Sequence, residues 1–273
     1  MNNPLVISVL AKNKEHILPT YLNCLLLQTA VNSDTIFYIR TNDNRDNTDQ
    51  LLKDWYDKWK GKYRMVFDDS SIDENLKNYD NHEWNAFRFK ILGGIRQKSI
   101  EFAISQNADY FIADADNLIS PSTISDIRST GLPVVAPLLH PFDKHSMYSN
   151  FHTAVDQNGY FASDSIGLYN NLMYQQIKGL VEVPVVHCTY FIQNSTLPFI
   201  NYDDDSYRFE YVVFSDVLRK AGIPQYLDTR KIYGMLSFST DDSAFLSEQE
   251  NNPNFKEFIE YINKLTPTEW QIR

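Results

Sequence analysis

Asp114 and Asp116 stand one alanine apart, directly after the apolar run Tyr110–Ala113. Apolar strands usually end in turn residues, not in paired charges. In an extended chain, residues i and i+2 project to the same side, so both carboxylates converge beyond the end of a buried strand. Two like charges held that close repel unless a cation compensates them. Carboxylate oxygens are the preferred ligands of hard divalent ions such as Mn²⁺ or Mg²⁺, and the open positions on such an ion suit a diphosphate. The alternative is a solvated turn in which Asp116 or Asn117 caps the next helix. The position after YFIA, in the fourth strand of an alternating chain, favours metal and diphosphate.

The elements that must position the pair alternate through the first half. LVISVLA (Leu5–Ala11) has strand length, and HILPTYLNCLLLQ after it has helical spacing. Asp34–Asp43 reads as a second strand. A helix follows, with Asp46 or Asn47 as N-cap and Leu51, Leu52, Trp55 and Trp59 on one face. Tyr63–Asp69 is a third strand, and a helix from about Trp84 to Gln106 leads into the strand before Asp114. A short helix after Ser120-Pro121 and the strand LPVVAPLL come next. This order implies an α/β fold, a mostly parallel sheet flanked by helices. In such sheets ligands bind beyond the carboxyl ends of the strands, so Asn13, Thr41–Asn44, Asp68, Asp69 and Asp114–Asn117 should converge on one cleft. From Tyr148 on the pattern loosens. YSNFHTAVDQNGYFA and VPVVHCTYFIQ read as strands of a mixed region, FEYVVFSDVLRKAG as an amphipathic helix and NPNFKEFIEYINKL as another. The expectation is one domain over 1–273, with a nucleotide-sugar half to about 140 and an acceptor half from about 141.

Composition narrows the function. The chain has 273 residues, 43% hydrophobic and 22% charged, with a formal net charge of -10. That acidic balance argues against nucleic-acid or anionic-membrane partners, which need a positive face. Its two cysteines, Cys24 and Cys188, make no zinc spacing and no disulfide framework. No apolar run reaches membrane-span length. The N-terminus lacks the basic region of a signal peptide, which favours the cytoplasm as compartment.

The arrangement of the acid pair resembles nucleotide-sugar glycosyltransferases of GT-A (Rossmann-like) type. LAKNKEHILPTYLNCL, TNDNRDNTDQLLKDW, FIADADNLISP, VVAPLL, YSNF and VPVVHCTYFI run in the same order as similar segments of procollagen galactosyltransferases, from Leu5 to about Leu236. The resemblance implies a metal-dependent inverting transferase. It would move galactose from UDP-galactose to hydroxylysine of collagen or a collagen-like polypeptide, with Mn²⁺ (or Mg²⁺) as cofactor. A related resemblance, to the glycosyltransferase domain of lysyl hydroxylases, keeps glucosyl transfer to galactosyl-hydroxylysine open. A non-catalytic collagen-binding or scaffolding module and a general polysaccharide transferase are further alternatives, and homo-oligomerisation stays open.

Carried over residue by residue, Ala11, Lys12 and Asn13 would border the uridine, and Thr41 and Asp43 the ribose or uracil. Asn42 and Asp43 depart from the family's Thr-Asp-His-Asn segment. Arg96 would neutralise diphosphate or orient the sugar, or else lie along the helix surface. Asp114 and Ala115 would contact the donor, and Asp114, Asp116 and His187 would hold the metal. His187 interrupts an apolar strand, where a satisfied core histidine is the alternative. Trp84 and Arg88 match family positions, and His152 stands where the family has a tryptophan. An inverting displacement needs a base on the acceptor side. Glu210 is the first choice, kept charged by the helix dipole, or else a helix-starting cap; Asp204 and Asp205 come next. Replacing Asp114 or Asp116 by alanine is expected to leave the fold intact.

Overall fold

The computed structural model describes residues 3–71, 86–143 and 145–270. Four parallel strands open the chain: β1 (Leu5–Leu10), β2 (Thr35–Arg40), β3 (Arg64–Asp68) and β4 (Asp109–Ala113). They alternate with α1 (Leu18–Leu26), α2 (Thr48–Trp59) and α3 (Ala86–Ser105). Alternate strand residues feed two separate cores, as the pleat requires. Leu5, Ile7 and Val9 of β1, Phe37 and Ile39 of β2 and Phe111 and Ala113 of β4 pack under α1 and α2. Val6, Ile36, Tyr38, Tyr110 and Ile112 face the opposite layer. Covered on both faces, β1, β2 and β4 read as continuous apolar runs.

The rest of the chain completes the sheet. In order come β5 (Asn117–Ile119), α4 (Thr123–Arg128), β6 (Val134–Pro137), β7 (Leu139–Pro141), β8 (Phe151–His152) and α5 (Ile166–Met173). Then follow β9 (Leu180–Val183), β10 (Val185–Val186), β11 (Thr189–Ile192), α6 (Glu210–Lys220), β12 (Gln225–Asp228), β13 (Gly234–Leu236), α7 (Asp242–Asn251) and α8 (Pro253–Leu265). The main sheet has eight strands in the order β3-β2-β1-β4-β11-β6-β12-β9. β11 and β9 run antiparallel to their neighbours. Strands from both sides of residue 140 share this sheet. A small sheet, β5-β13-β7, lies beyond the end of β4.

Several expected strands break. LPVVAPLL divides between the main sheet (β6) and the small one (β7). VPVVHCTYFIQ breaks at Cys188, whose φ is +63°. Of 148–162 only Phe151 and His152 form a strand, with an isolated bridge between Val155 and Phe161. Among the described residues no helix is long and apolar enough to cross a membrane.

Candidate active site

The strand order places the carboxyl ends of β2, β1 and β4 side by side, and the acid pair follows β4. Tyr21 of α1 donates to the Ala113 carbonyl at 2.7 Å, fixing the last strand residue before the pair. The Asp114 amide donates to the Cys188 carbonyl at 2.8 Å, and Asn117 closes a turn back to the Asp114 carbonyl at 2.8 Å. The Asp116 carbonyl accepts from Ser237 at 3.0 Å, just past β13. Both acids are therefore held by their backbones to the main sheet on one side and the small sheet on the other. Ala115 between them is buried.

Each carboxylate carries a protein cation. Arg96 Nη2 lies 2.6 Å from Asp114 Oδ1, and Lys14 Nζ lies 2.6 Å from Asp116 Oδ2. Arg96 is 4% exposed, which excludes the surface-lying alternative. Its Nε stands 3.6 Å from Glu210 Oε1, and neither Nε nor Nη1 has a hydrogen-bond partner among the described residues. Burial pushes the Asp114 carboxyl above its ordinary value; Arg96 opposes this and Asp116 adds to it.

Toward β1 and β2 the structure assembles a tight polar cradle. Ala11 donates to Arg40, one strand over, at 3.1 Å. Asn13, with φ +53°, donates its amide to Asn44 Oδ1 at 2.7 Å and accepts the Arg45 amide at 2.8 Å. Thr41 donates its amide to Asp68 at 3.1 Å, and its hydroxyl takes part with Asn44 and Asp49. Asp43, also at positive φ, is held by Asn42 and Ser71. Lys12 is half-buried; burial lowers its ammonium, Asp43 opposes, and Arg88 and Arg45 lower it further. Ala11, Asn13, Thr41, Asp43, Asp114 and Asp116 thus all follow the carboxyl ends of the neighbouring strands β1, β2 and β4, and Arg96 joins them from α3 through Asp114. Trp84 lies outside the described residues.

His187 stands at the break between β10 and β11. Its amide donates to Asn150 at 3.0 Å, and its Nδ1 is 2.8 Å from Cys188 Sγ. The ring packs among Tyr211, His152 and Tyr148. Burial holds it well below the ordinary histidine value. Among the described residues no group of three His, Cys, Asp or Glu side chains could hold a metal ion. The three-donor set expected of Asp114, Asp116 and His187 is not assembled in this structure. The acid pair itself still fits a hard cation in its donor chemistry: two carboxylates, side chains 29% and 23% exposed, at a strand end.

The acceptor-side acids depart from expectation. Glu210 does begin α6, but its carboxyl is buried, and Oε2 is shut from solvent without a hydrogen-bond partner among the described residues. Burial raises its pKa, so the helix dipole does not dominate its charge state. Asp204 is tied to Arg208 and Ser206. The Asp205 side chain is 98% exposed, 4.0 Å from Lys90. Residues not anticipated from sequence are Lys14, at hydrogen-bond distance from Asp116, and Cys188, whose thiol lies against Tyr148 and His187. Lys14 lies 102 residues from its partner, and no local signal marks such a pair.

A family model described as glycosyltransferase family 25, N-terminal domain, matches residues 3–255. Procollagen galactosyltransferase 1-A of Xenopus laevis is 28% identical over 266 residues, covering 92% of this chain and 42% of that protein. A mouse (Mus musculus) relative named inactive glycosyltransferase 25 family member 3 is 28% identical over 263 residues, covering 90% of this chain and 43% of its own length. The chain thus spans less than half of these relatives. Among solved structures, S. aureus TarS 1-349 in complex with UDP-GlcNAc superposes with a TM-score of 0.53 at 12% identity, covering 88% of this chain and 59% of that one. The mannosyltransferase PcManGT of Pyrobaculum calidifontis, in complex with GDP-Man and Mn²⁺, gives 0.51 at 9% identity over 99% and 78%. These neighbours are GT-A glycosyltransferases, and the chain shares that fold. With the family model spanning most of its length, the chain belongs to glycosyltransferase family 25 and is related to the procollagen galactosyltransferases.

Proposed function

We propose that this chain is a metal-dependent inverting hexosyltransferase that moves galactose from UDP-galactose to hydroxylysine of a collagen-like polypeptide. The observation that carries the reading is the acid pair Asp114/Asp116, at the end of β4 beside the polar cradle on β1 and β2. In this reading Ala11, Asn13, Thr41 and Asp43 border the nucleoside, and Lys12 adds positive charge near the phosphates. Asp114 and Asp116 would hold Mn²⁺ or Mg²⁺, which when bound supplies positive charge for the departing UDP. Arg96 fixes the Asp114 carboxylate, and Glu210 acts through Arg96 as a positioning residue. We place the acceptor base on the loop before α6, at Asp205, whose carboxylate is open to an incoming hydroxyl.

The test is a donor screen: the protein with Mn²⁺, a panel of UDP-sugars and a hydroxylysine peptide, then a galactosyl-hydroxylysine peptide. Galactose transfer to the first supports the reading, whereas glucose transfer to the second reassigns it to the glucosyl step. A second reading, a binding module without catalysis, draws on the protein cations paired to both acids and on the relatives named inactive. Calorimetry with UDP separates the two. Metal-dependent UDP binding supports the transferase, and its absence together with no transfer supports the module.

A further inference from the structure

We infer that Lys14 is a resident counter-cation of the acid pair: its ammonium holds the place on Asp116 that a divalent ion must take, so metal entry displaces Lys14. The inference rests on the metal-binding reading of Asp114 and Asp116. It concerns this chain's own lysine, not the ion.

The two cations on the pair differ in kind. Arg96 is buried, bridges toward Glu210 and belongs to the core. Lys14 is tied to Asp116 alone among the described ion pairs, with side chains 24% and 23% exposed. A lysine ammonium is a compact point charge on a flexible stem and can swing away, whereas a buried guanidinium cannot without leaving its partners uncompensated. Lys14 is exchangeable by construction; Arg96 is not.

The stem of Lys14 nevertheless starts from a fixed place. Its amide donates to Thr48 Oγ1 at 2.7 Å, at the start of α2. Its carbonyl accepts from Ile17 at 3.1 Å and Leu18 at 2.9 Å, entering α1. Asn13 before it is held at positive φ by Asn44 and Arg45. Asp116 is anchored in turn through its carbonyl to Ser237. Two fixed backbones aim the ammonium at the carboxylate, so the contact is preorganised. The β1–α1 loop that carries Lys14 also carries Asn13, on the donor cradle. An ammonium displaced from Asp116 therefore stays at the site, where a diphosphate is its next partner.

The experiment measures Mn²⁺ binding to the full chain without nucleotide, by calorimetry or by the loss of the free Mn²⁺ electron-spin signal. Wild type is compared with Lys14→Met, Lys14→Arg and Asp116→Asn, each checked for fold by circular dichroism. Removing a partly shielded competing cation should tighten Mn²⁺ binding by about fivefold in Lys14→Met. Lys14→Arg should stay near wild type, because the competing charge is kept. If Lys14→Met binds Mn²⁺ no better than wild type while Asp116→Asn loses it, the acid pair binds metal but Lys14 is no competitor, and the inference alone fails. If neither wild type nor Lys14→Met binds Mn²⁺, the inference fails, and calorimetry with UDP and Mn²⁺ together then decides the metal reading: absence of metal-dependent UDP binding overturns that as well.

Discussion

Asp114 and Glu210 share one guanidinium. Arg96 donates to Asp114 at 2.6 Å and faces Glu210 at 3.6 Å, joining α3, the end of β4 and the start of α6 through a single buried side chain. Two carboxylates lie against one cation, and burial raises both. Removing the cation leaves two uncompensated acids in the interior. Arg96→Met should therefore cost about 3–5 kcal/mol of unfolding free energy in a denaturant titration. Glu210→Gln should cost much less, because the Arg96–Asp114 pair remains and is neutral as a unit. A loss under about 1 kcal/mol for Arg96→Met would show that the three groups do not depend on each other.

The same geometry makes the two acids unequal. The sequence suggests that alanine at either position leaves the fold intact. Asp114, however, is the only hydrogen-bonding partner of the Arg96 guanidinium among the described residues, whereas Asp116 meets a partly exposed lysine. Asp114→Ala should lower stability by about 2 kcal/mol, and Asp116→Ala by less than about 1 kcal/mol. Both should abolish Mn²⁺-dependent UDP binding. Calorimetry and a denaturant titration on the same two proteins separate the effects, and equal stability losses would contradict the assignment of Arg96 to the core.

β1, β2 and β4 were legible because each is a nearly continuous apolar run, β3 because its Met65–Phe67 centre is apolar, and the turn to charge at Asp114 marks where β4 ends. The later strands were not. β9, β12 and β13 have only three or four residues each, too few to show a period. The aromatic run 148–162 looks like strand, yet its rings pack around His152 and Tyr169 instead of pairing along a sheet. From the sequence Arg96 could equally serve the diphosphate or lie along the helix surface, because GGIRQKS shows no burial pattern around it. What takes it into the core is Gly93, where a Cβ would lie 3.0 Å from the Tyr202 carbonyl and 3.5 Å from Glu210 Cβ. The close approach of α3 to the Tyr202 backbone depends on that missing side chain, and a helical pattern cannot report it.

Gly234 links the small sheet to the acid pair. It pairs with Ile119, and a Cβ there would fall 2.1 Å from the Leu118 carbonyl oxygen. Backbone must move to admit it. Gly234→Ala should cost about 3 kcal/mol or more through overpacking. Because Ser237, just past this strand, holds the Asp116 carbonyl, metal-dependent UDP binding should weaken as well. A variant with full stability and unchanged UDP affinity would show that β5 and β13 can part without disturbing the site.

Arg208 makes acid stability testable. It pairs with Asp204 and with Asp216, the latter at 2.9 Å. Burial pushes both carboxyls up, but hydrogen bonds from Ser206 and Arg208 to Asp204, and from Lys220 and Arg208 to Asp216, outweigh it and hold both below 3.8. The folded state thus binds these protons less readily than the unfolded chain. The contribution is complete above the ordinary value and is lost as pH falls through the lower folded values. The stability gap between wild type and Arg208→Ala should be constant from neutral pH to about 5 and should close below about 4. A gap that widens in acid would reverse the sign and refute the pairing.

The remaining question is which acid takes the acceptor proton. Glu210 has the raised pKa of a useful base, but its Oε2 is sealed from solvent and Oε1 faces Arg96. An acceptor hydroxyl must come within hydrogen-bond reach of its base, and among the described residues this side chain is left only 6% exposed. Asp204 is occupied by Arg208 and Ser206. Asp205, on the loop entering α6, has a side chain 98% exposed and, among the described residues, one weak cationic neighbour, Lys90 at 4.0 Å. Asp205→Asn should therefore lower the transfer rate by about 10²–10⁴-fold with UDP affinity unchanged, the span that general-base catalysis supplies. Glu210→Gln should lower it by less than about tenfold, because the amide still fills the space beside Arg96. The pH profile separates base from scaffold: loss of the base removes the acidic limb, whereas a positioning defect lowers the rate at every pH. If Glu210→Gln flattens that limb and Asp205→Asn leaves it, the buried glutamate is the base, and α6 must open for the acceptor to reach it.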